Sequence, residues 1–295
     1  MSLSLRARLF QKVIPKIMPS AELTPEQQRA KIDRPMGLPN RRVEVVDTEV
    51  GGLPALRVQP KGAPRRRQLL HFHGGGFVVG RPRGFQGYLG ELALRADAVV
   101  TSVDYRRAPE HPYPAAIDDC LAAYRAMLDH VDAEGFAVIG ESAGGNAVAA
   151  TLLRARDEGW ALPKAAVLLS PWLDLTFSGE SMTRNQDREI MLDPVLFRSW
   201  RDAYVGGQDP ADPGISPLFA ELHGLPPLRV EATTAEVLED DARRFVDKAR
   251  AAGVDAELVV HDDVWHIFQT QVPLVPEAVA ALEGVNAFIR AHTRG

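Results

Sequence analysis

The 295-residue chain has a single cysteine, no long apolar run and no excess of basic residues. With Cys120 alone, neither an intramolecular disulfide nor a cysteine-based zinc site can form. No apolar stretch approaches the ~20 residues that span a bilayer, and the N-terminus lacks the apolar core and cleavage site of a signal peptide. The net charge of −5 argues against nucleic acid as a partner. We therefore expect a cytoplasmic protein without stable membrane insertion or a nucleic-acid partner.

Short apolar runs alternate with helix-forming stretches along most of the chain. The strand-like segments are 43–50, 53–59, 69–72, 98–103, 136–139, 165–169, 228–232 and 256–261. The helix-like segments are 85–96, 115–130, 146–154, 239–252 and 276–292. This order predicts an α/β fold whose mostly parallel eight-stranded sheet carries helices on both faces. Gly51 and Gly52 suit a hairpin turn, which would add antiparallel strands at one edge.

Two segments interrupt the alternation. Residues 1–40 suggest short helices broken by prolines, and residues 177–213 contain helical pieces without a strand pattern. We expect both to form a helical cap over the carboxyl edge of the sheet, where open α/β sheets bind ligands. The α/β core then comprises 41–176 and 214–295. Bulky residues of these segments are predicted to line the access route; the alternative is that they are ordinary core residues of the cap. They are Phe10, Met18, Trp200 and Tyr204.

The first predicted helix is basic and amphipathic, with four cations and no acid before Glu22. Such a helix can either fold over the site or touch a membrane surface. We favour the first use and keep the second as an alternative.

The pentapeptide Gly140-Glu141-Ser142-Ala143-Gly144 lies between a strand-like and a helix-like segment. A G-x-S-x-G sequence in this setting is typical of a nucleophile elbow, in which the serine occupies a sharp turn with its hydroxyl exposed. The flanking glycines let backbone pass where a Cβ would clash. The pattern predicts Ser142 as a nucleophile, and a glycine-rich turn without chemistry is the alternative.

A serine hydroxyl needs a base, and the base needs an orienting carboxylate. With this elbow the chain order is serine, acid, histidine. His266 follows the last predicted strand at the carboxyl edge of the sheet and is the predicted base, with His261 at the strand end as the alternative. Glu236 lies in the loop after strand 228–232, but position alone also leaves Asp240 open as the acid.

The segment His73-Gly74-Gly75-Gly76 follows the strand 69–72, where this fold places its second oxyanion loop. Backbone N–H groups of glycines can approach a substrate oxygen closely. We predict oxyanion donors from Gly74, Gly75 and Ala143, with His73 and Gly76 supporting the loop. The segment matches neither of the usual phosphate-binding patterns.

Taken together, the glycine segment 73–76 and the elbow segment 140–146 resemble the bacterial hormone-sensitive-lipase-like (family IV) esterases of the α/β-hydrolase fold. Segment 104–116, Asp-Tyr-Arg-Arg-Ala-Pro-Glu-His-Pro-Tyr-Pro-Ala-Ala, and segment 170–175, Ser-Pro-Trp-Leu-Asp-Leu, are similar to two further blocks of that family. The resemblance covers residues 43–290.

This resemblance implies Ser142 as nucleophile, His266 as base and Glu236 as acid, with Asp240 as a supporting carboxylate. The chain departs from the family pattern at Glu141, where Asp or Thr is usual.

The implied activity is hydrolysis of short- to medium-chain acyl esters through an acyl-enzyme. A small-molecule ester is the expected partner, no cofactor or metal is implied, and homodimers occur in the family. An amidase or an acyltransferase with the same triad is the alternative, and a non-catalytic ligand-binding protein is a third reading.

Overall fold

The computed structural model describes residues 3–34, 40–62 and 67–295; residues 35–39 of the predicted first cap segment lie outside the described residues. One sheet contains the strands β1 Val43–Val50, β2 Leu53–Pro60, β3 Gln68–Phe72, β4 Val99–Val103, β5 Phe136–Glu141, β6 Ala165–Leu169, β7 Leu228–Thr233 and β8 Ala256–His261. The strand order is β1-β2-β4-β3-β5-β6-β7-β8. The β1–β2 and β2–β4 pairs are antiparallel and the other pairs are parallel. The predicted sheet with an antiparallel hairpin at one edge is confirmed.

Helices pack on both faces of this sheet. Within the described residues they are α1 Leu5–Ile17, α2 Pro25–Ile32, α3 Gln86–Ala96, α4 Ala115–Leu128, α5 Ala143–Asp157, α6 Ser181–Arg184, α7 Pro194–Val205, α8 Glu239–Ala251 and α9 Pro276–His292. Buried residues of α4, α5, α7 and α8 share one hydrophobic core, and those of α1, α3 and α9 share the other.

Successive side chains along each strand point to opposite faces of the sheet and therefore pack into these two cores. In β6, Val167 belongs to one core and its neighbour Leu168 to the other, and both are fully buried. A parallel strand covered on both faces is apolar throughout for this reason. Burying one such side chain contributes about 1.5–3 kcal/mol, so the central strands hold the sheet rigidly beneath the loops.

Two stretches outside this α/β pattern lie near the carboxyl edge of the sheet. Residues 177–213 hold α6 and α7 and no strand. The indole N–H of Trp200 in α7 donates to Gln28 Oε1 in α2 at 2.8 Å, and the ring of Phe10 in α1 stacks on Trp265 with centroids 6.0 Å apart. The two stretches are therefore joined to each other and to the loop that follows β8.

Across the described residues, every helix is too short or too polar to cross a bilayer. Cys120 is buried among apolar side chains on α4.

Candidate active site

The elbow serine occupies a strained turn between β5 and α5. Ser142 has φ 56° and ψ −120°, a backbone conformation that non-glycine residues rarely adopt. A Cβ on Gly144 would lie 1.9 Å from the carbonyl oxygen of Phe72, and a Cβ on Gly140 would lie 2.3 Å from the carbonyl oxygen of Gly144. Because only glycine fits at either position, the chain can pass close to β3 and hold the serine in its strained geometry.

Glu236 and His266 are in direct contact beside this turn. Glu236 Oε2 lies 2.6 Å from His266 Nδ1, and Glu236 Oε1 accepts the N–H of Thr233 at 2.8 Å. Both side chains are buried. Since the carboxylate accepts at Nδ1, the other ring nitrogen, Nε2, is the one available for chemistry.

The two alternatives left by the sequence are engaged elsewhere. Asp240 accepts the N–H of Ser181 at 2.8 Å and a guanidinium hydrogen bond from Arg184 at 2.7 Å. Burial opposes ionisation of Asp240, but these hydrogen bonds outweigh it and hold the pKa of this carboxyl below its ordinary value. His261 Nε2 lies 3.0 Å from Glu231 Oε2. Among the hydrogen bonds of the described residues, none joins Asp240 or His261 to Glu236 or His266.

Ser142 and His266 border one cavity of about 170 Å³. Among the hydrogen bonds of the described residues there is none between Ser142 Oγ and His266 Nε2. Catalytic hydrogen bonds are often long before substrate binds and tighten in the substrate complex. The structure thus brings acid and histidine together and places the serine on the same cavity wall.

Most of the cavity wall is apolar and comes from the two stretches outside the α/β pattern. Phe10, Met18 and Trp200 border it, as the sequence predicted. Tyr204 does not: its ring is buried and stacks on Phe77 with centroids 3.9 Å apart. The prediction that Tyr204 lines the access route is therefore wrong, because this side chain is part of the interior beneath α7.

The glycine loop after β3 borders the cavity beside Ser142, but its first glycine is not a free donor. The N–H of Gly74 donates to Glu141 Oε1 at 2.9 Å. An N–H already committed to a carboxylate is not free for a substrate oxygen, which corrects the prediction of Gly74 as an oxyanion donor. Within the described residues, the N–H groups of Gly75, Gly76 and Ala143 have no recorded acceptor.

Glu141, the departure from the family pattern, ties the loop to the sheet. Its Oε2 lies 2.8 Å from His71 Nε2, and the other nitrogen of that ring lies 2.8 Å from Ser102 Oγ. All three side chains are buried. Glu141 therefore fixes the loop from below through Gly74, a positioning role that a local motif could not reveal.

His73 supports the same loop as an uncharged ring. Its Nδ1 donates to the carbonyl oxygen of Gly74 at 2.9 Å, and its ring stacks on Tyr105 with centroids 4.2 Å apart. Burial lowers the pKa of His73 to about 3. The ring is therefore neutral in neutral solution and shapes the loop without adding charge to the site.

Sequence reasoning missed a row of polar residues between residues 181 and 189 that holds the acid loop. Ser181 Oγ donates to the Val237 carbonyl oxygen at 2.6 Å, and Asn185 Nδ2 donates to that of Glu236 at 2.8 Å. Glu189 Oε2 accepts the Val237 N–H at 3.2 Å, and desolvation raises the pKa of this carboxyl although part of the residue is exposed. The spacing of four between these three residues was the available signal, although α6 ends at Arg184 and only Ser181 lies in the helix, with the other two in the non-helical segment that follows it.

In the described part of the chain, no group of three or more His, Cys, Asp or Glu side chains is arranged to hold a metal ion.

Comparison with known proteins gives a consistent result. A family model for the alpha/beta hydrolase fold matches residues 69–270. An acetyl-hydrolase of Streptomyces hygroscopicus is 39% identical over 228 residues, covering 77% of this chain and 76% of that protein. An esterase of Acinetobacter venetianus is 33% identical over 251 residues, covering 84% of this chain and 82% of that protein. A crystal structure of an esterase from the bacterial hormone-sensitive lipase family superposes with a TM-score of 0.95 at 36% identity, covering 100% of both chains.

Proposed function

This chain belongs to the bacterial hormone-sensitive-lipase-like serine carboxylesterases of the α/β-hydrolase fold, and we propose that it cleaves short- to medium-chain acyl esters with Ser142, His266 and Glu236 as its triad. The observation that carries the proposal is the 2.6 Å contact between Glu236 Oε2 and His266 Nδ1 on the cavity that Ser142 borders. A buried carboxylate in this position holds the imidazole in the tautomer that can accept a proton at Nε2.

In the proposed reaction, Ser142 Oγ attacks the ester carbonyl carbon while His266 Nε2 takes the hydroxyl proton. The carbonyl oxygen becomes an oxyanion, which accepts hydrogen bonds from the N–H groups of Gly75, Gly76 and Ala143. His266 then returns the proton to the leaving alkoxide as the carbon–oxygen bond breaks, leaving an acyl group on Ser142. Water then attacks the acyl carbonyl carbon while His266 Nε2 takes a proton from it. The proton passes to Ser142 Oγ as the acyl–serine bond breaks and the carboxylic acid product leaves.

The size of the cavity supports a small acyl group. An apolar cavity of about 150 Å³ holds one benzene molecule, so the present ~170 Å³ has room for roughly six non-hydrogen atoms. The Streptomyces relative is called an acetyl-hydrolase, which points in the same direction. We further propose that residues 1–40 and 177–213 act as one cap that sets this limit, since both stretches supply its walls.

A covalent probe and a substrate series test the proposal together. A fluorophosphonate should label the native protein and the Ser199→Ala variant, whose substituted serine is exposed on α7, but not Ser142→Ala. The native protein should hydrolyse p-nitrophenyl butyrate, and Ser142→Ala should lose turnover by about 10⁴-fold or more while keeping its circular dichroism spectrum. Labelling that persists in Ser142→Ala would contradict the nucleophile assignment. Faster turnover of matched amides, or acyl transfer to added alcohol in place of hydrolysis, would contradict the reaction type.

A further inference from the structure

The outer face of α1 carries an apolar stripe that nothing in the described chain covers. Leu5, Leu9, Val13 and Ile17 recur every four residues and are 83%, 60%, 42% and 48% exposed. Spacing of four puts them along one side of the helix. Leu274, 52% exposed, lies beside the first turn, where its carbonyl oxygen accepts a hydrogen bond from Arg6. Singly exposed aliphatic residues are ordinary, but a continuous row of them on one helix is not.

Cations flank this stripe. Arg6, Arg8, Lys12 and Lys16 are all exposed, and the helix contains no acidic residue. Four cations in the 13 residues of α1 compare with 34 in the 295 residues of the chain, whose net charge is −5. Among the described residues, none of these four cations forms an ion pair. Within the described structure, the four cations of α1 therefore have no ion-pair partner.

Two acids that lie close to α1 are engaged in other contacts. Glu277 accepts the N–H of Ser4 at 2.6 Å and its hydroxyl at 2.9 Å, which caps α1 from the α9 side. Asp263, whose carbonyl oxygen accepts from Gln11, pairs through its carboxylate with Arg188 at 2.5 Å. These contacts hold α1 in place, and among the described residues neither acid forms an ion pair with a cation of α1.

The inner face of the same helix belongs to the catalytic cavity. Ala7 and Ile14 are buried, and Phe10 and Ile14 border the cavity. Val13 and Ile17 are both partly exposed and part of the cavity wall, so the outer stripe continues to the cavity without a break. A surface that received the stripe would lie directly against this side of the cavity.

We propose that the outer face of α1 is a docking surface for an anionic lipid bilayer. Basic amphipathic helices lie in the plane of a membrane interface, with aliphatic side chains among the acyl chains and cations at the head groups. A second copy of this chain fits less well, because a symmetric contact through this face would bring the four cations of one copy against the same four of the other. The docking is peripheral, and it concerns binding rather than the identity of the substrate.

Binding to vesicles tests this directly. The intact protein should co-sediment with phosphatidylcholine vesicles that contain about one third phosphatidylserine, bind pure phosphatidylcholine vesicles much less, and be released by high salt. Lys12→Gln combined with Lys16→Gln should weaken binding to the anionic vesicles by roughly fivefold per cation. Leu5→Ser combined with Leu9→Ser should weaken binding tenfold or more.

A matched control changes the same kind of charge elsewhere. Arg57→Gln combined with Lys61→Gln removes two exposed cations from the β1–β2 edge and should leave vesicle binding unchanged. All three double variants should keep the native rate with p-nitrophenyl acetate, because none of the changed side chains borders the cavity.

Equal binding to neutral and anionic vesicles, no binding at all, or equal losses in the control and α1 variants would overturn the proposal. Sedimentation velocity measures the oligomeric state of the same proteins. A native dimer that dissociates in the Leu5→Ser/Leu9→Ser variant would overturn the membrane proposal and show that this face binds a second copy of the chain. Since vesicle binding needs no catalysis, its failure is distinct from failure of the esterase assignment.

Discussion

Replacing Phe10 with alanine should enlarge the catalytic cavity and lengthen the preferred acyl chain. The ring of Phe10 borders the cavity and is itself benzene-sized, so its removal adds space for roughly six more non-hydrogen atoms. Each further buried methylene contributes about 0.8 kcal/mol, or roughly fourfold in kcat/KM when the contact persists in the transition state. Decanoate has four more methylenes than hexanoate, so the upper limit on its gain relative to hexanoate is about 200-fold.

The assay is kcat/KM for p-nitrophenyl esters from acetate to decanoate. We expect the native enzyme to peak near the butyrate and hexanoate, and Phe10→Ala to shift the peak by about four carbons and gain at least tenfold for decanoate relative to butyrate. Leu9→Ala is the matched control, since this neighbour on α1 is 60% exposed and does not border the cavity. Loss of the stack on Trp265 should also lower the unfolding free energy by about 1–3 kcal/mol, measured by urea titration.

Identical chain-length profiles for Phe10→Ala and the native enzyme, after normalisation to butyrate, would refute the reasoning. That result would mean that the acyl chain does not enter the space beside Phe10. A profile shifted equally by Leu9→Ala would instead trace the effect to the stability of α1.

Three further experiments use substitutions in and around the site. Glu236→Gln should lower kcat by about 10³–10⁴-fold and Asp240→Asn by less than tenfold, and the reverse order would contradict the acid assignment. Asn185→Ala removes a donor to the Glu236 carbonyl oxygen and should lower kcat about 10- to 100-fold with little change in KM. An unchanged kcat would show that the acid loop keeps its conformation without Asn185. Burial and the neighbouring Asp174 raise the pKa of Asp241 from 3.8 to about 7, so the folded state binds a proton that the unfolded state releases, and the unfolding free energy should fall as pH rises from 4 to 7. Asp241→Asn should remove that fall in urea titrations at pH 5 and pH 8.

The strands and the chain order of the candidate site could be predicted because their signals are local. The central strands β3, β4 and β6 are short, mostly apolar segments of five residues, and burial on both faces explains why they do not alternate strictly between apolar and polar residues. The elbow glycines at 140 and 144 are required by contacts within one strand–turn–helix unit. Position relative to strand ends then placed Glu236 and His266 at the same edge of the sheet, although position alone did not separate Glu236 from Asp240.

The hydrogen bonds of the oxyanion loop could not be predicted from local sequence patterns. Nothing near Gly74 in the sequence indicates that its N–H is already taken, because the acceptor, Glu141, lies 67 residues further along the chain. The partner becomes visible only when β3 and β5 pair, with Phe72 opposite Gly140. Hydrogen-bond partners that depend on strand pairing cannot be assigned from a motif.

The stretch 177–213 and the acid loop also depend on contacts between distant parts of the chain, and these contacts qualify the predicted division into core and cap. Asn185 lies in the stretch 177–213 and Glu236 in the α/β core, yet the amide of Asn185 donates both to the Glu236 carbonyl oxygen and to Glu239 Oε2 at 3.0 Å. An unpaired buried carbonyl or carboxylate costs about 1–3 kcal/mol, so pulling this stretch away from the acid loop is opposed at several points at once. The stretch that walls the cavity therefore also holds the carboxylate that orients His266. Any motion that opens this side of the cavity must either leave residues 181–189 in place or disturb the Glu236–His266 contact.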